Sequence, residues 1–208
     1  GEKSRSAVQR LLLLLQAQDL QIELSVTSTL RVGVGHASSS ADVLSALRAT
    51  CRALSKPISS SVLCWLAAQV EPTNPTLLTG ASLFDPDCGH LVGQAPLPPM
   101  TVRPLSCGAA VDTVQARQYR IRWTPPQQVE MTRIMEWMRT GLGRSDLRLL
   151  AKAATRSALL HAERTGRKDI LTAWEHARSE RALGIAVSHS GSSIVGLYPP
   201  KFRNNAHV

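Results

Sequence analysis

The chain has 208 residues, of which 43% are hydrophobic and 19% charged, a composition that supports a buried core and argues against a disordered polymer. Its 24 Lys and Arg residues exceed its 15 Asp and Glu residues, and the formal net charge of +9 suits an anionic partner. The basic residues are scattered, and two Phe and two Tyr offer few platforms for base stacking, so the composition argues against a nucleic-acid partner.

The cysteines and the hydrophobic segments indicate in which cellular compartment the protein is expected. The four cysteines, Cys51, Cys64, Cys88 and Cys107, form no CxxC pair, so we predict reduced thiols and neither a zinc site nor a redox dithiol. The apolar run Leu11–Leu15 is too short for a signal peptide and has no cleavage site behind it, and no stretch is long enough to span a membrane. We therefore expect a cytoplasmic protein with no membrane partner.

Hydrophobic periodicity predicts the elements of the first half of the chain. A helix is expected at about residues 5–17, a strand at 20–28, and helices at about 39–55 and 60–70. The strand rests on apolar residues that alternate with polar ones from Leu20 to Val26. Residues 71–116 are rich in Pro, Gly, Asp and Thr, which predicts loops with short strands and a subdomain boundary at about residue 116.

The second half begins with a predicted strand at 117–123. Helices are expected from Pro125 to about Thr140, at about 145–165 and at 168–182, followed by two strands that flank a turn at 189–192. Strands and helices in this order predict an α+β protein with two subdomains, 1–116 and 117–208.

The segment 33–43, GVGHASSSADV, places glycines and serines directly before a predicted helix. A helix N-terminus leaves four backbone N–H groups unpaired and carries about half a positive charge, so glycines that let the backbone approach a ligand create an anion site. The segment is neither a P-loop, since no Lys-Ser/Thr follows its last Gly, nor a GxGxxG fingerprint, since Ser38 takes the third glycine's place. A serine-capped helix after a glycine turn explains the segment about as well as phosphate binding does.

Three motifs resemble those of one family. Residues 35–41, GHASSSA, resemble the G-x-x-S-S-x-A phosphate loop of the GHMP kinases, the superfamily of galactokinase, homoserine kinase, mevalonate kinase and phosphomevalonate kinase. Residues 71–74, EPTN, and 188–192, SHSGS, resemble the superfamily's acidic motif and its C-terminal Gly/Ser motif, in the same order. Within the superfamily the chain is most similar to the L-threonine kinases of cobalamin biosynthesis, whose S-T, A-S-S-T-A-D, E-P-T-D, L-F-D and V-A-H-S-G motifs have counterparts along residues 28–191.

This resemblance implies a two-subdomain GHMP kinase fold, with an N-terminal part similar to the second domain of ribosomal protein S5 and a ferredoxin-like C-terminal part. It implies ATP and Mg²⁺ as cofactors and a small amino acid as substrate, most simply L-threonine converted to O-phospho-L-threonine for the aminopropanol linker of cobalamin. Homoserine kinase or another small-alcohol kinase is the alternative within the class. A non-catalytic RNA-binding or other binding protein is the alternative outside it, and the oligomeric state is left open.

The resemblance also implies roles for individual residues. Mg²⁺ would be held by Glu71 and by Ser39 or Ser40, although a helix-end carboxylate is the structural alternative for Glu71. Ser39 and Asn74 would act in catalysis. The nucleotide phosphates would be bound by the loop, which comprises Gly33, Gly35, His36, Ala37, Ser38, Ser39 and Ser40.

Five residues are weaker candidates for substrate contacts, and each has a structural alternative. Asp42 would complement the helix dipole in the first turn. Asp85 would be a turn residue. His189 would fix its turn by hydrogen bonding, and Ser190 and Gly191 would shape a tight turn against the phosphate loop.

The sequence departs from the family pattern at three places. Arg31 stands where the family usually has proline. Asn74 replaces an Asp that could accept the substrate's hydroxyl proton, which an amide cannot do. The family's first segment, with an A-S-C-G-E-like motif, has no counterpart here, so the N-terminal strands and part of the pocket are expected to be missing.

Overall fold

A computed structural model describes residues 1–30, 32–107, 123–188 and 191–200. The chain divides into two compact units, the first comprising Gly1–Val32 and Ala37–Pro96 and the second comprising Gly33–His36 and Leu97–Val208. The change of unit after Pro96 comes before the domain boundary expected at residue 116. It comes earlier because the strand Thr101–Cys107 pairs with a strand near the C-terminus.

The first unit contains three helices and a hairpin: α1 (Glu2–Leu14), α2 (Ser38–Ala53), α3 (Ser60–Ala68), β1 (Ala81–Phe84) and β2 (Leu91–Ala95). Its core is made where apolar faces of the helices meet, with Leu11 of α1, Leu47 of α2 and Leu63 of α3 at most 2% exposed. The three predicted helices are confirmed, because each has an apolar stripe at the helical period that is buried in this core.

The predicted strand at 20–28 is wrong. Residues 20–29 form no regular element, and within the described chain no strand pairs with them. The expected burial of one face of this segment is found in part. Leu24 packs against a cluster in the first unit that comprises Val8, Leu12 and Ala46. Leu20 and Ile22, in contrast, are 48% and 37% exposed. Alternating polarity marks a segment that can lie on a surface, but a strand also requires a neighbour for its backbone hydrogen bonds.

The second unit consists of β3 (Thr101–Cys107), α4 (Pro125–Gly143), α5 (Leu147–Thr165), α6 (Lys168–Ser179), β4 (Gly184–Val187) and β5 (Ser193–Tyr198). The strands form an antiparallel sheet in the order β3-β5-β4. Ile185 and Ile194 of this sheet are buried with Ala158 and Ile170 of the helices. The predicted helices and the final strand pair are confirmed, while the strand expected at 117–123 lies outside the described residues except for Trp123.

Local signals explain where the helices of the second unit begin and end. At the start of α4 the backbone N–H of Thr124 donates to Gln127 Oε1 over 3.1 Å, and Pro125 fills the first helical position. At the start of α5 Asp146 accepts a hydrogen bond from the Leu149 N–H. Gly166 ends α5 with a φ of 71°, a conformation that costs glycine little.

At this level the α+β expectation is confirmed, since both units combine helices with antiparallel strands. The likeness of each subdomain to a particular fold stays a prediction. In the described part of the chain, no helix combines the length and the apolar character that a membrane crossing requires. Cys51, Cys64 and Cys88 carry free thiols, and burial raises the pKa of the Cys51 and Cys64 thiols.

Candidate functional site

The N-terminus of α2 begins without a side-chain cap. Ala37 precedes the helix in the left-handed conformation, with φ 54° and ψ 31°, and its carbonyl accepts the first helical hydrogen bond from the Ala41 N–H over 2.8 Å. The three serines are the first three helical residues and none of them caps the helix. The serine-capped alternative is therefore not the one adopted, and within the described chain no side-chain cap takes up the first-turn N–H groups, which are donors that an anion can bind.

Two of these serines connect α2 to the segment 71–74. Ser39 Oγ donates a hydrogen bond to Glu71 Oε1. Ser40 is 4% exposed, and its hydroxyl oxygen accepts a 2.9 Å hydrogen bond from the backbone N–H of Asn74. The EPTN segment is thus held directly at the start of α2, within the first unit.

Glu71 also pairs with a lysine that sequence reasoning did not find. Lys3 Nζ, from the first turn of α1, contacts Glu71 Oε2 as both a hydrogen bond and an ion pair. The Glu71 side chain is 16% exposed and that of Lys3 is 53% exposed. A lone lysine that pairs with a residue 68 positions away leaves no local pattern in the sequence.

These oxygens fit a magnesium ion. A carboxylate and a hydroxyl are the hard donors that Mg²⁺ prefers, and the ion usually takes few protein ligands beside phosphate and water. Across the described ranges no group of three or more His, Cys, Asp or Glu residues could hold a metal, so an all-protein cage is not indicated there. Ser39 and Glu71 would be the ligands, while the Ser40 hydroxyl is already bonded to the Asn74 backbone.

Thr73 lies in the middle of the same segment and is 1% exposed. Its backbone N–H donates to the Pro86 carbonyl over 3.1 Å, which anchors the segment, but its buried Oγ1 has no hydrogen-bond partner within the described chain. An unpaired buried hydroxyl is costly, so that of Thr73 calls for an explanation. The next residue, Asn74, is exposed.

Asp42 lies past the first turn of α2. The helix begins at Ser38, so Asp42 is its fifth residue, and the expected stabilisation by the helix dipole is weak because that effect fades within the first turn. The predicted first-turn position is therefore wrong. Instead, Asp42 lines a cavity of about 340 Å³ between α2 and residues 24–30, where it is the charged residue among the described lining residues.

Asp85 belongs to the turn between β1 and β2. Its Oδ1 accepts hydrogen bonds from the backbone N–H groups of Asp87, at 2.9 Å, and Cys88, at 3.2 Å. These bonds, that from Cys88 foremost, hold the pKa of Asp85 below its usual value. The side chain thus has a clear structural use as a turn residue.

In the second unit, the glycine segment before α2 contacts the C-terminal Gly/Ser motif. Gly33 and Gly35 have φ of 77° and 89°, and His36 is exposed. The Val34 carbonyl accepts hydrogen bonds from the Ser193 N–H at 3.0 Å and from its hydroxyl at 2.6 Å. A Cβ on Gly35 would lie 2.5 Å from the Cβ of Ser188, so only glycine fits there.

Arg167 supports the same motif and was also missed from the sequence. Its guanidinium donates to the Gly191 carbonyl over 2.9 Å and to the Ser192 carbonyl over 3.2 Å. It also pairs with Asp169, whose pKa this hydrogen bond lowers. The candidates His189 and Ser190, and the departure at Arg31, lie outside the described residues.

One comparison with known proteins covers two of the three motifs, residues 35–41 and 71–74. Residues 5–79 match the family model described as the GHMP kinases N terminal domain. Among curated proteins, none is significantly similar in sequence to this chain.

Two solved structures resemble the fold. The homoserine kinase from Cytophaga hutchinsonii ATCC 33406 superimposes with a TM-score of 0.69 at 19% identity, over 96% of this chain and 67% of that protein. A candidate homoserine kinase from Listeria monocytogenes superimposes with a TM-score of 0.63 at 14% identity, over 95% of this chain and 69% of that protein. The chain therefore has a fold like that of these two structures, and residues 5–79 carry the sequence pattern of the GHMP kinase N-terminal domain.

Proposed function

We propose that this protein is an ATP-dependent kinase that phosphorylates the hydroxyl of a small amino acid. The observation that carries the proposal is the hydrogen bond from Ser39 to Glu71 at an uncapped helix N-terminus. It unites, within one unit, a group that can ligate a cation and backbone donors that can bind phosphate, in the region that matches the GHMP kinase family model.

The roles follow from this arrangement. The N–H groups of Ser38, Ser39 and Ser40 would bind phosphate oxygens of ATP, with the help of the helix dipole. Gly33, Gly35, His36 and Ala37 precede them in the chain and would complete the phosphate loop. Glu71 and the Ser39 hydroxyl would hold Mg²⁺, whose charge offsets the charge of the phosphates.

The chemistry is the transfer of the γ-phosphoryl group. The substrate hydroxyl oxygen forms a bond to the γ-phosphorus, the bond from that phosphorus to the departing ADP oxygen breaks, and the hydroxyl proton passes to solvent. The transition state of such transfers is loose, so positioning and electrostatics carry most of the catalysis. Asn74 would position the reactants by hydrogen bonds rather than act as a base.

L-threonine is the substrate that we propose, on the strength of the resemblance to the threonine kinases. Asp42 supports the proposal that the substrate is an amino acid, since a half-buried carboxylate on the wall of a cavity can pair with a substrate ammonium group. Secondary contacts with the substrate would come from Gly191, His189 and Ser190. The hydrogen bonds that Asp85 accepts in its turn favour a structural role for that residue.

We further propose that the protein is cytoplasmic and that its subdomains comprise residues 1–116 and 117–208.

The fold likeness to two homoserine kinases makes homoserine the second candidate. The full-length protein is incubated with Mg²⁺-ATP and L-threonine, L-homoserine, L-serine or no acceptor, and phosphorylated products are identified by ³¹P NMR. We expect O-phosphothreonine to form fastest, and faster homoserine phosphorylation would transfer the proposal to that substrate. Retention on RNA that weakens steeply with salt, without phosphorylation of any acceptor, would favour the binding-protein alternative instead.

A further inference from the structure

Both carboxylate oxygens of Glu71 are engaged. Oε1 accepts from Ser39 and Oε2 pairs with the Lys3 ammonium, while the side chain as a whole is 16% exposed. A carboxylate that is this far withdrawn from water needs a compensating charge, and Lys3 supplies one. A cation that binds Glu71 through Oε2 must therefore meet the ammonium group.

An ammonium group and a divalent cation cannot share one carboxylate oxygen at low cost. At separations of a few ångströms like charges repel strongly, even after partial screening by solvent. A lysine beside a carboxylate thus raises the metal concentration at which that carboxylate becomes occupied.

Lys3 is free to move away. It lies in the first turn of α1, its side chain is 53% exposed, and its ammonium is carried on a flexible stem of four carbons. The apolar residues that pack α1 against the core are Ala7, Val8, Leu11 and Leu12, and Ser4, 2% exposed, is buried with them; all of these follow Lys3 along the helix. The departure of the ammonium would leave this buried face unchanged.

We propose that Lys3 is the resting counter-ion of Glu71 and competes with a divalent cation for it, so that Lys3 sets the metal affinity of the site. The inference rests on the proposed metal role of Glu71 and adds a positioning residue to it. Lys3 keeps the carboxylate neutralised when no metal is bound, and the arriving metal takes its place.

The test uses Mn²⁺ alone, without nucleotide, as a paramagnetic probe of magnesium sites on the full-length protein. Free Mn²⁺ is measured by electron paramagnetic resonance during titration of the wild type and of the variants Lys3→Met, Lys3→Arg, Glu71→Gln and Lys56→Met. Lys56 is an exposed lysine that follows the far end of α2 and serves as the matched control. Far-ultraviolet circular dichroism checks that each variant keeps its helices.

We expect Lys3→Met to bind Mn²⁺ about tenfold more tightly than the wild type, because a repelling charge is removed. Lys3→Arg, which keeps the charge, and Lys56→Met should bind like the wild type. Adding Glu71→Gln to Lys3→Met should abolish the gain. The thermal midpoint of Lys3→Met should also rise more on addition of Mn²⁺ than that of the wild type.

Two failures can be told apart. If Lys3→Met binds Mn²⁺ no more tightly than the wild type, or not detectably, Lys3 is not a competitor and the inference falls. If Glu71→Gln weakens Mn²⁺ binding all the same, the metal role of Glu71 stands without Lys3. If Glu71→Gln leaves Mn²⁺ binding unchanged in both backgrounds, the metal role itself is overturned, and the inference with it.

Discussion

Gly191 lies against the backbone of Gly35, so closely that a Cβ on Gly191 would overlap the Gly35 Cα and lie 2.7 Å from the carbonyl carbon of Val34. Gly35 belongs to the glycine segment before α2 and Gly191 to the C-terminal Gly/Ser motif. The two motifs, far apart in the sequence, are thus packed together inside the second unit. Both positions require glycine for lack of space.

Replacing Gly191 by Ala should destabilise the protein by about 1–3 kcal/mol or more, because the new methyl group meets backbone that cannot move aside. The matched control is Gly143→Ala. Gly143 lies at the end of α4 with nothing within 4 Å of its Cβ position, and alanine there should be neutral or stabilising by less than about 1 kcal/mol. The measurement is the free energy of unfolding in urea, and equal stability of the two variants would refute the close approach.

Replacing Ala37 by Asp should abolish nucleotide binding, since a carboxylate would stand beside the phosphates. The backbone tolerates the change, because Asp and Asn occur in left-handed conformations more readily than most residues. Ala37→Asn has the same shape without the charge and serves as the control. Binding of a non-hydrolysable ATP analogue is measured by calorimetry, and undiminished affinity in a folded Asp variant would remove the phosphate site from this loop.

Ala37→Gly tests the backbone conformation by itself. Glycine adopts a φ of 54° without the steric cost that alanine bears. The free energy of unfolding of this variant, measured in urea, should therefore be higher than that of the wild type by about 1 kcal/mol. A clear loss of stability would contradict the left-handed conformation of residue 37.

Replacing Thr73 by Val should leave stability unchanged or raise it by up to about 1 kcal/mol, because the change removes a buried hydroxyl with no partner. Thr73→Ser is the control, since it keeps the hydroxyl and removes a methyl group from a site that is 1% exposed. The measurement is the thermal unfolding midpoint of each variant compared with that of the wild type. A marked loss of stability in Thr73→Val alone would mean that the hydroxyl is hydrogen-bonded after all.

Replacing Asn74 by Asp tests whether a base is needed. General-base catalysis contributes roughly a hundredfold or more where it operates. We expect the wild type to be active already and Asp to bring little gain or some loss, because a new negative charge repels the incoming phosphate. The threonine-dependent rate of the two full-length proteins is compared, and an increase of about a hundredfold in the Asp variant would show that the natural protein lacks a base it needs.

Much of the fold follows from periodicity, because the helices α1, α2 and α3 bury stripes that are visible in the sequence. The segment 20–28 fails for the opposite reason, since a strand depends on a partner that local alternation cannot supply. The second compact unit takes up the chain again at Leu97, because the pairing of β3 with β5 joins distant parts of the chain.

The residues of the candidate site likewise fall into those that the sequence predicts and those that it does not. Ser39 and Glu71 were named because they lie in motifs, and the structure brings them together by a hydrogen bond. Lys3 and Arg167 were missed, because each makes a contact with a distant residue and belongs to no motif. The sequence correctly predicts Asp42 in α2 but assigns it to the wrong turn, since the helix begins one residue earlier than expected.

The measurement that tests the proposed kinase site most directly is the magnesium dependence of threonine phosphorylation in the full-length wild type and in Glu71→Gln. The amide keeps the size of the side chain and an oxygen that can accept from Ser39, so the fold should survive. We expect the rate to fall by about a hundredfold or more and the magnesium requirement to rise, because a neutral amide is a poor ligand for a hard cation. A small change in rate that is the same at every magnesium concentration would contradict the metal role and return Glu71 to a structural one.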